Sequence, residues 1–142
     1  MPTSEATFVD ANVLIYAHDI SAGTKHRIAA GLIEKFWEAD PIFPAISVQV
    51  LQETYVNLIK KQVPSPTAEK LIRSYLDWNV IINDSGLLME GIRLKDKLHL
   101  SFWDSLLVAA AHKAQVKYIL TEDLTHNREY EGVKVINPFL SS

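Results

Sequence analysis

Apolar residues along this chain fall into two kinds of stretch. Some are short, nearly continuous runs; in others, large side chains recur every three or four residues, the pattern of strands alternating with helices. Residues 7–10 form the first run and predict a buried strand, with residues 12–17 opening a helix behind it. From Lys25 onward, Ile28, Ala29, Leu32, Ile33 and Phe36 keep helical spacing until Asp40-Pro41 stops them. Residues 41–46 form a brief apolar run bounded by prolines and predict a second strand. Ser47 then caps a helix whose apolar stripe is Val48, Leu51, Tyr55, Leu58 and Ile59, with Glu53 off that stripe. Ser65 and Pro66 suit the N-cap and first position of a shorter helix ending near Asp77. Residues 79–82 predict a third strand, and Asp84-Ser85 caps a helix carrying Leu87, Leu88, Ile92 and Leu94.

Ser101 and Asp104 have capping-box spacing, and the segment from Leu106 to Ala111 behind them is apolar all round, which predicts a buried helix against the sheet. Residues 118–120 and 133–136 supply the fourth and fifth strands. This alternation predicts an α/β fold with three layers, α/β/α, around a mainly parallel sheet of about five short strands, joined by right-handed crossovers. Ligands in such sheets bind beyond the carboxyl ends of the strands. Asp10 and Asp123 lie at two such ends, and Glu53 and Asp104 lie on helices that start from the same edge.

Composition narrows the function without changing this architecture. At 142 residues, 48% apolar and 22% charged, the chain has the size and balance of one globular domain spanning 1–142. No cysteine is present, which excludes disulfides, thiolate metal sites and cysteine nucleophiles. The first residues lack a signal-peptide pattern and no apolar run is long enough to span a bilayer, so the expected compartment is the cytoplasm, without membrane association. A net charge of −3 argues against a general nucleic-acid coat protein. It remains compatible with an enzyme that holds cations in a carboxylate cluster.

Each acid alone has an ordinary explanation. Asp10 can cap a helix, Glu53 can sit in solvent, Asp104 can complete a capping box and Asp123 can turn a loop. Convergence alters this. Two carboxylates about 4 Å apart repel by roughly 4 kcal/mol at an effective dielectric near 20, so four at one edge need cations or protons. Oxygen-only donors suit a hard ion, magnesium or manganese, which activates a water for attack on a phosphodiester.

Four segments resemble the acidic motifs of PIN-domain nucleases, and most closely VapC-type toxins: Val9-Asp10-Ala11-Asn12-Val13-Leu14, Leu51-Gln52-Glu53-Thr54-Tyr55, the stretch from Ser101 through Asp104 to Ala111, and Leu120-Thr121-Glu122-Asp123-Leu124. The likeness extends through the ending from Gly132 to Phe139. It implies that Asp10, Glu53, Asp104 and Asp123 are the metal-binding and catalytic carboxylates, arranged by Asn12 and Thr121. It further implies a magnesium-dependent endoribonuclease acting on RNA, a homodimer, and a small cognate antitoxin covering the active site. Asn127 departs from the glycine that similar toxins often carry, although asparagine tolerates the same left-handed backbone.

Other readings fit less well. An aspartyl-phosphate phosphatase wants a second Asp where Asn12 stands, and a downstream lysine. A degenerate binding module would not keep four acids, structure-specific DNA cleavage goes with long inserts that this chain lacks, and a solitary RNA-processing nuclease differs by having no neighbouring antitoxin gene. His18, His26, His99, His112 and His126 show no ligand spacing. Lys60, Lys61, Arg93, Lys95 and Lys97 read as a solvated charged face, with a phosphate track as the alternative. Trp37, Trp78 and Trp103 read as core or interface, and Trp103 also as a border of the substrate groove.

Overall fold

The computed structural model describes residues 3–140. In chain order its elements are β1 (Thr7–Val9), α1 (Ala11–Ala17), α2 (Thr24–Glu38), β2 (Ala45–Ser47), α3 (Val48–Lys60), α4 (Ser65–Tyr75), β3 (Asn79–Ile81), α5 (Ser85–Leu98), α6 (Phe102–Lys113), β4 (Tyr118–Leu120), β5 (Glu129–Tyr130) and β6 (Val133–Ile136). The strands form one sheet in the order β3-β2-β1-β4-β6-β5, parallel throughout except where β5 runs against β6. Helices α1 to α4 pack among themselves and α5 packs on α6. Right-handed crossovers set these two groups on opposite faces of the sheet, giving the three-layer α/β/α arrangement.

The crossovers reverse direction at the centre. From β1 the chain steps outward through β2 to β3, then returns by α5 and α6 to place β4 on the other flank of β1. The gap between β1 and β4 is therefore the topological switch point, where the loops diverge and leave a crevice. Phe8, Val9, Ile119 and Leu120 are completely buried beneath it. On α6, Val108, Ala109, Ala110 and Ala111 are buried, and the small alanines admit close packing on the sheet.

Several local details differ from the sequence expectation. The second strand begins at Ala45, after both prolines, because a proline has no N–H for the ladder; Pro44 instead offers its carbonyl to the Asn79 N–H at 3.1 Å. Pro64 occupies the N-cap of α4 in place of Ser65. Helix α3 buries Val50, Leu51, Thr54 and Leu58, and leaves Tyr55 and Ile59 exposed. The sixth strand, β5, is two residues long and is joined to β6 through Glu131 and Gly132, both at positive φ, the backbone of a tight hairpin turn.

Candidate functional site

Asp10 follows β1 directly. Its N–H extends the ladder to the Leu120 carbonyl at 3.0 Å, and its side chain then turns to cap α1, accepting from the Ala11 N–H at 2.7 Å. The second oxygen accepts the Thr121 hydroxyl at 2.8 Å. Only 7% of Asp10 is exposed. Burial pushes its carboxyl up to about 6; the Thr121 and Ala11 hydrogen bonds oppose that rise, and the charges of Asp123 and Glu53 add to it. Among the described residues no cation is a hydrogen-bond partner of Asp10, so a buried acid here has neighbours of its own sign.

Asp123 stands at the end of β4, across the switch point. Its N–H donates to the Thr121 hydroxyl oxygen at 3.1 Å, and Asn12 reaches its carboxylate at 3.4 Å. Desolvation raises the Asp123 carboxyl above the usual range, and Glu122, Asp104 and Glu53 raise it further, while Lys25 acts the other way. Glu122, between the two site residues of this loop, is tied outward: Tyr16 donates to one oxygen at 2.6 Å and Lys25 to the other at 2.7 Å. Lys25 also lies over the Tyr16 ring at 5.0 Å and the Phe139 ring at 5.6 Å. These contacts anchor the Asp123 loop to α1, α2 and the C-terminal segment. Sequence reading gave Glu122, Tyr16 and Lys25 no role, and their wide separation along the chain left no local signal.

Helix α3 brings Glu53 to the same edge, with Gln49 donating to its carboxylate at 2.9 Å one turn earlier. Helix α6 brings Asp104. The Ser101 hydroxyl caps the Asp104 N–H at 3.1 Å, but the reciprocal half of the capping box is not formed among the described residues, which leaves the carboxylate facing the crevice. Asp10, Glu53, Asp104 and Asp123 thus line one cleft of about 130 Å³, together with Ser47, Gln49, Asn83 and Trp103. Among the described residues no three acids or histidines close tightly enough to ligate one ion together. The donor set nonetheless suits a hydrated hard cation, which binds through one or two carboxylates and reaches the others through its waters. The raised Asp10 carboxyl marks where such a charge would be most stabilising.

The remaining candidates settle elsewhere. His18 hydrogen bonds with Tyr75 at 2.7 Å, His26 with the Tyr16 carbonyl, and His126 with the Asn137 N–H. Arg93 and Lys97 share Glu131, Lys61 pairs with Asp19 and Lys95 with Asp96, so most of this basic face is neutralised rather than open as a phosphate track. Trp37 and Trp78 pack with Tyr75 in the interior. Trp103 stays exposed at the cleft.

A doubly covered, mainly parallel α/β domain with four carboxylates converging at its switch point defines the class to which this protein belongs. The PIN domain model matches residues 7–130, and the chain belongs to that family. No curated protein matches it by sequence. Among solved structures, a toxin-antitoxin complex from Klebsiella pneumoniae superposes with a TM-score of 0.68 at 21% identity, covering 94% of this chain and 98% of that one. VapC20 of Mycobacterium tuberculosis, described as a Sarcin-Ricin loop cleaving toxin, gives 0.60 at 20% identity over 82% and 91%. FitAcB from Neisseria gonorrhoeae gives 0.59 at 12% identity over 94% and 98%. At these identities the likeness is one of fold. Among the described residues no helix is long and apolar enough to cross a membrane.

Proposed function

We propose that this protein is a metal-dependent endoribonuclease, the toxin of a type II toxin-antitoxin pair, folded as a single domain over 1–142 and working in the cytoplasm as a homodimer. The observation that carries this reading is the buried Asp10 carboxylate, which shares a cleft with Glu53, Asp104 and Asp123 and has no cationic partner among the described residues. An enzyme that recruits magnesium or manganese gains from that arrangement; a structural site would lose stability by keeping it.

Asp10, Glu53, Asp104 and Asp123 would hold the metal, directly or through its waters. An ion held there would supply a lowered pKa to an attacking water and charge neutralisation to the phosphate and leaving oxygen. Thr121 fixes Asp10 and the Asp123 backbone in one stroke, and Asn12 restrains the Asp123 carboxylate. No side-chain nucleophile is required. Asn12 occupies the position where a phosphatase acid would stand, and in this structure it serves Asp123. Kinship of fold with toxins from toxin-antitoxin systems supports a small antitoxin as the partner that covers the cleft.

Mapping cleavage sites on total RNA tests the reading, with magnesium, with chelator, and with Asp104→Asn. Discrete new 5′ ends that need magnesium and vanish in the variant are expected. Cutting in chelator, or undiminished cutting by Asp104→Asn, overturns the assignment.

A further inference from the structure

Trp103 is 64% exposed, while Trp78 is 3% exposed and Trp37 is packed among aromatic rings. It occupies the first turn of α6, immediately before Asp104, and its side chain borders the acid-lined cleft. Phe102 packs edge-on beside it, with ring centroids 5.1 Å apart and planes at 72°, and Phe102 itself rests on the hydrophobic core. A large indole is thus braced at the mouth of a polar cleft with most of its surface in water. A single exposed apolar side chain is ordinary on a protein surface; what singles out Trp103 is its place on the wall of the acid-lined cleft.

The charge distribution favours one kind of ligand contact. Among the described residues no lysine or arginine lines the cleft, and Lys25, the cation acting on Asp123, is already paired with Glu122. Phosphate attraction near the acids therefore falls to the bound cation alone, and a strand lying there gains further affinity from its bases. An indole face supplies it through stacking. Asn83, in the same cleft and without a hydrogen-bond partner among the described residues, has a free amide for a base edge. A base in a duplex is covered on both faces, whereas an unpaired base offers a face to a side chain.

Resting on the nuclease reading above, we propose that Trp103 is a stacking platform for one unpaired nucleobase beside the scissile phosphate, and so determines which RNA positions are presented to Asp104.

Binding separates this from cleavage. The full chain is titrated with a short single-stranded oligoribonucleotide of mixed sequence and with a strand of the same length made wholly abasic. Calcium replaces magnesium in both titrations, because the larger ion accepts phosphate oxygens without the strict octahedral geometry of magnesium. The base-bearing strand is expected to quench the exposed indole emission. Trp103→Ala weakens its binding about 5- to 150-fold, the range of one lost stacked base, and Trp103→Phe recovers most of the loss. The abasic strand binds both proteins equally and weakly. In magnesium, Trp103→Ala raises KM with kcat largely kept, and unchanged melting temperatures show that both variants fold. Equal binding of the two strands by the unaltered protein, or no loss in Trp103→Ala, overturns the proposal. So does a Trp103 emission that depends on protein concentration without RNA, which makes the residue a contact between copies of the chain. Stacking without any cleavage in magnesium leaves the platform standing and removes the nuclease; cleavage indifferent to Trp103 does the reverse.

Discussion

The Thr121 hydroxyl donates to Asp10 at 2.8 Å, and its oxygen accepts the Asp123 N–H at 3.1 Å, so one side chain couples the ends of β1 and β4 across the switch point. Thr121 is completely buried. Thr121→Val keeps the shape and removes both interactions. It leaves a buried carboxylate oxygen and a backbone N–H short of a partner, at a cost of about 1–3 kcal/mol. Urea unfolding in chelator is expected to show that loss. The Asp10 carboxyl, deprived of a hydrogen bond that holds it down, moves above 6 and carries the acid limb of the pH–rate profile upward with it.

Asp10 also gives the metal-free protein an unusual pH dependence. Its carboxyl is raised from 3.8 to about 6 in the folded state, so between those values the folded protein binds more proton than the unfolded chain. Stability in chelator therefore falls as pH rises from about 4 to 6, by up to about 3 kcal/mol, and stays low above that window. Asp10→Asn retains an N-cap for α1, since asparagine caps as well as aspartate, and removes the buried charge. Thermal melts in chelator at neutral pH are expected to show this variant more stable than the unaltered protein, with the pH slope flattened. A lower melting temperature would contradict the account.

Lys25 and Glu122 pull the Asp123 carboxyl in opposite directions. Lys25→Met removes the charge that lowers it, so Asp123 takes up a proton at higher pH and activity is lost earlier on acidification. Glu122→Gln removes a like charge and shifts the acid limb to lower pH. Neither change is expected to unfold the protein, because the ion pair is partly exposed and screened by solvent. Two pH–rate profiles displaced to opposite sides of the unaltered curve are the expected result.

The hydrophobic pattern alone carried much of this architecture. Strands β1, β3, β4 and β6 and the caps Ser47, Asp84 and Ser101 stand out because each joins a short apolar run or an oxygen-bearing side chain to a change of period. The convergence of four acids followed from parallel topology, since consecutive carboxyl ends share one edge. What escaped was set by tertiary contact. Strand β5 has two residues and a Glu131-Gly132 turn without the usual asparagine or aspartate signal, and Tyr55 keeps the spacing of a core residue yet is exposed. The Glu122, Tyr16 and Lys25 anchor unites positions about a hundred residues apart, which no local pattern records.

Asn127, where glycine was the alternative, has φ of +68°, the left-handed region, and its N–H bonds the Val135 carbonyl at 2.8 Å. Asn127→Gly is expected to be neutral within about 1 kcal/mol, since glycine reaches the same backbone freely. Asn127→Val places a β-branched residue there and costs about 1–2 kcal/mol, read as a lower urea midpoint with unchanged slope.

Gly91 tests whether packing far from the cleft sets the position of Asp104. It lies where α5 meets α6, and a Cβ there would stand 3.1 Å from the Leu106 Cδ1 atom and 3.5 Å from both the Leu106 Cα and Phe102. Those residues belong to the first turns of the helix that carries Asp104, and Leu106 is itself 3% exposed, so the crowding cannot be relieved toward solvent. Gly91→Ala meets this contact at one atom and also gains helix propensity of about 1 kcal/mol, so the two effects nearly cancel. Gly91→Val adds two further methyl groups on a β-branched carbon, and the helices must separate. A destabilisation of about 1–3 kcal/mol is expected, the usual cost of overpacking. Because the displacement falls on α6, kcat should drop by more than that stability loss accounts for, at temperatures where the variant remains fully folded. Full activity in a destabilised but folded Gly91→Val protein would show that Asp104 is positioned by its Ser101 cap alone.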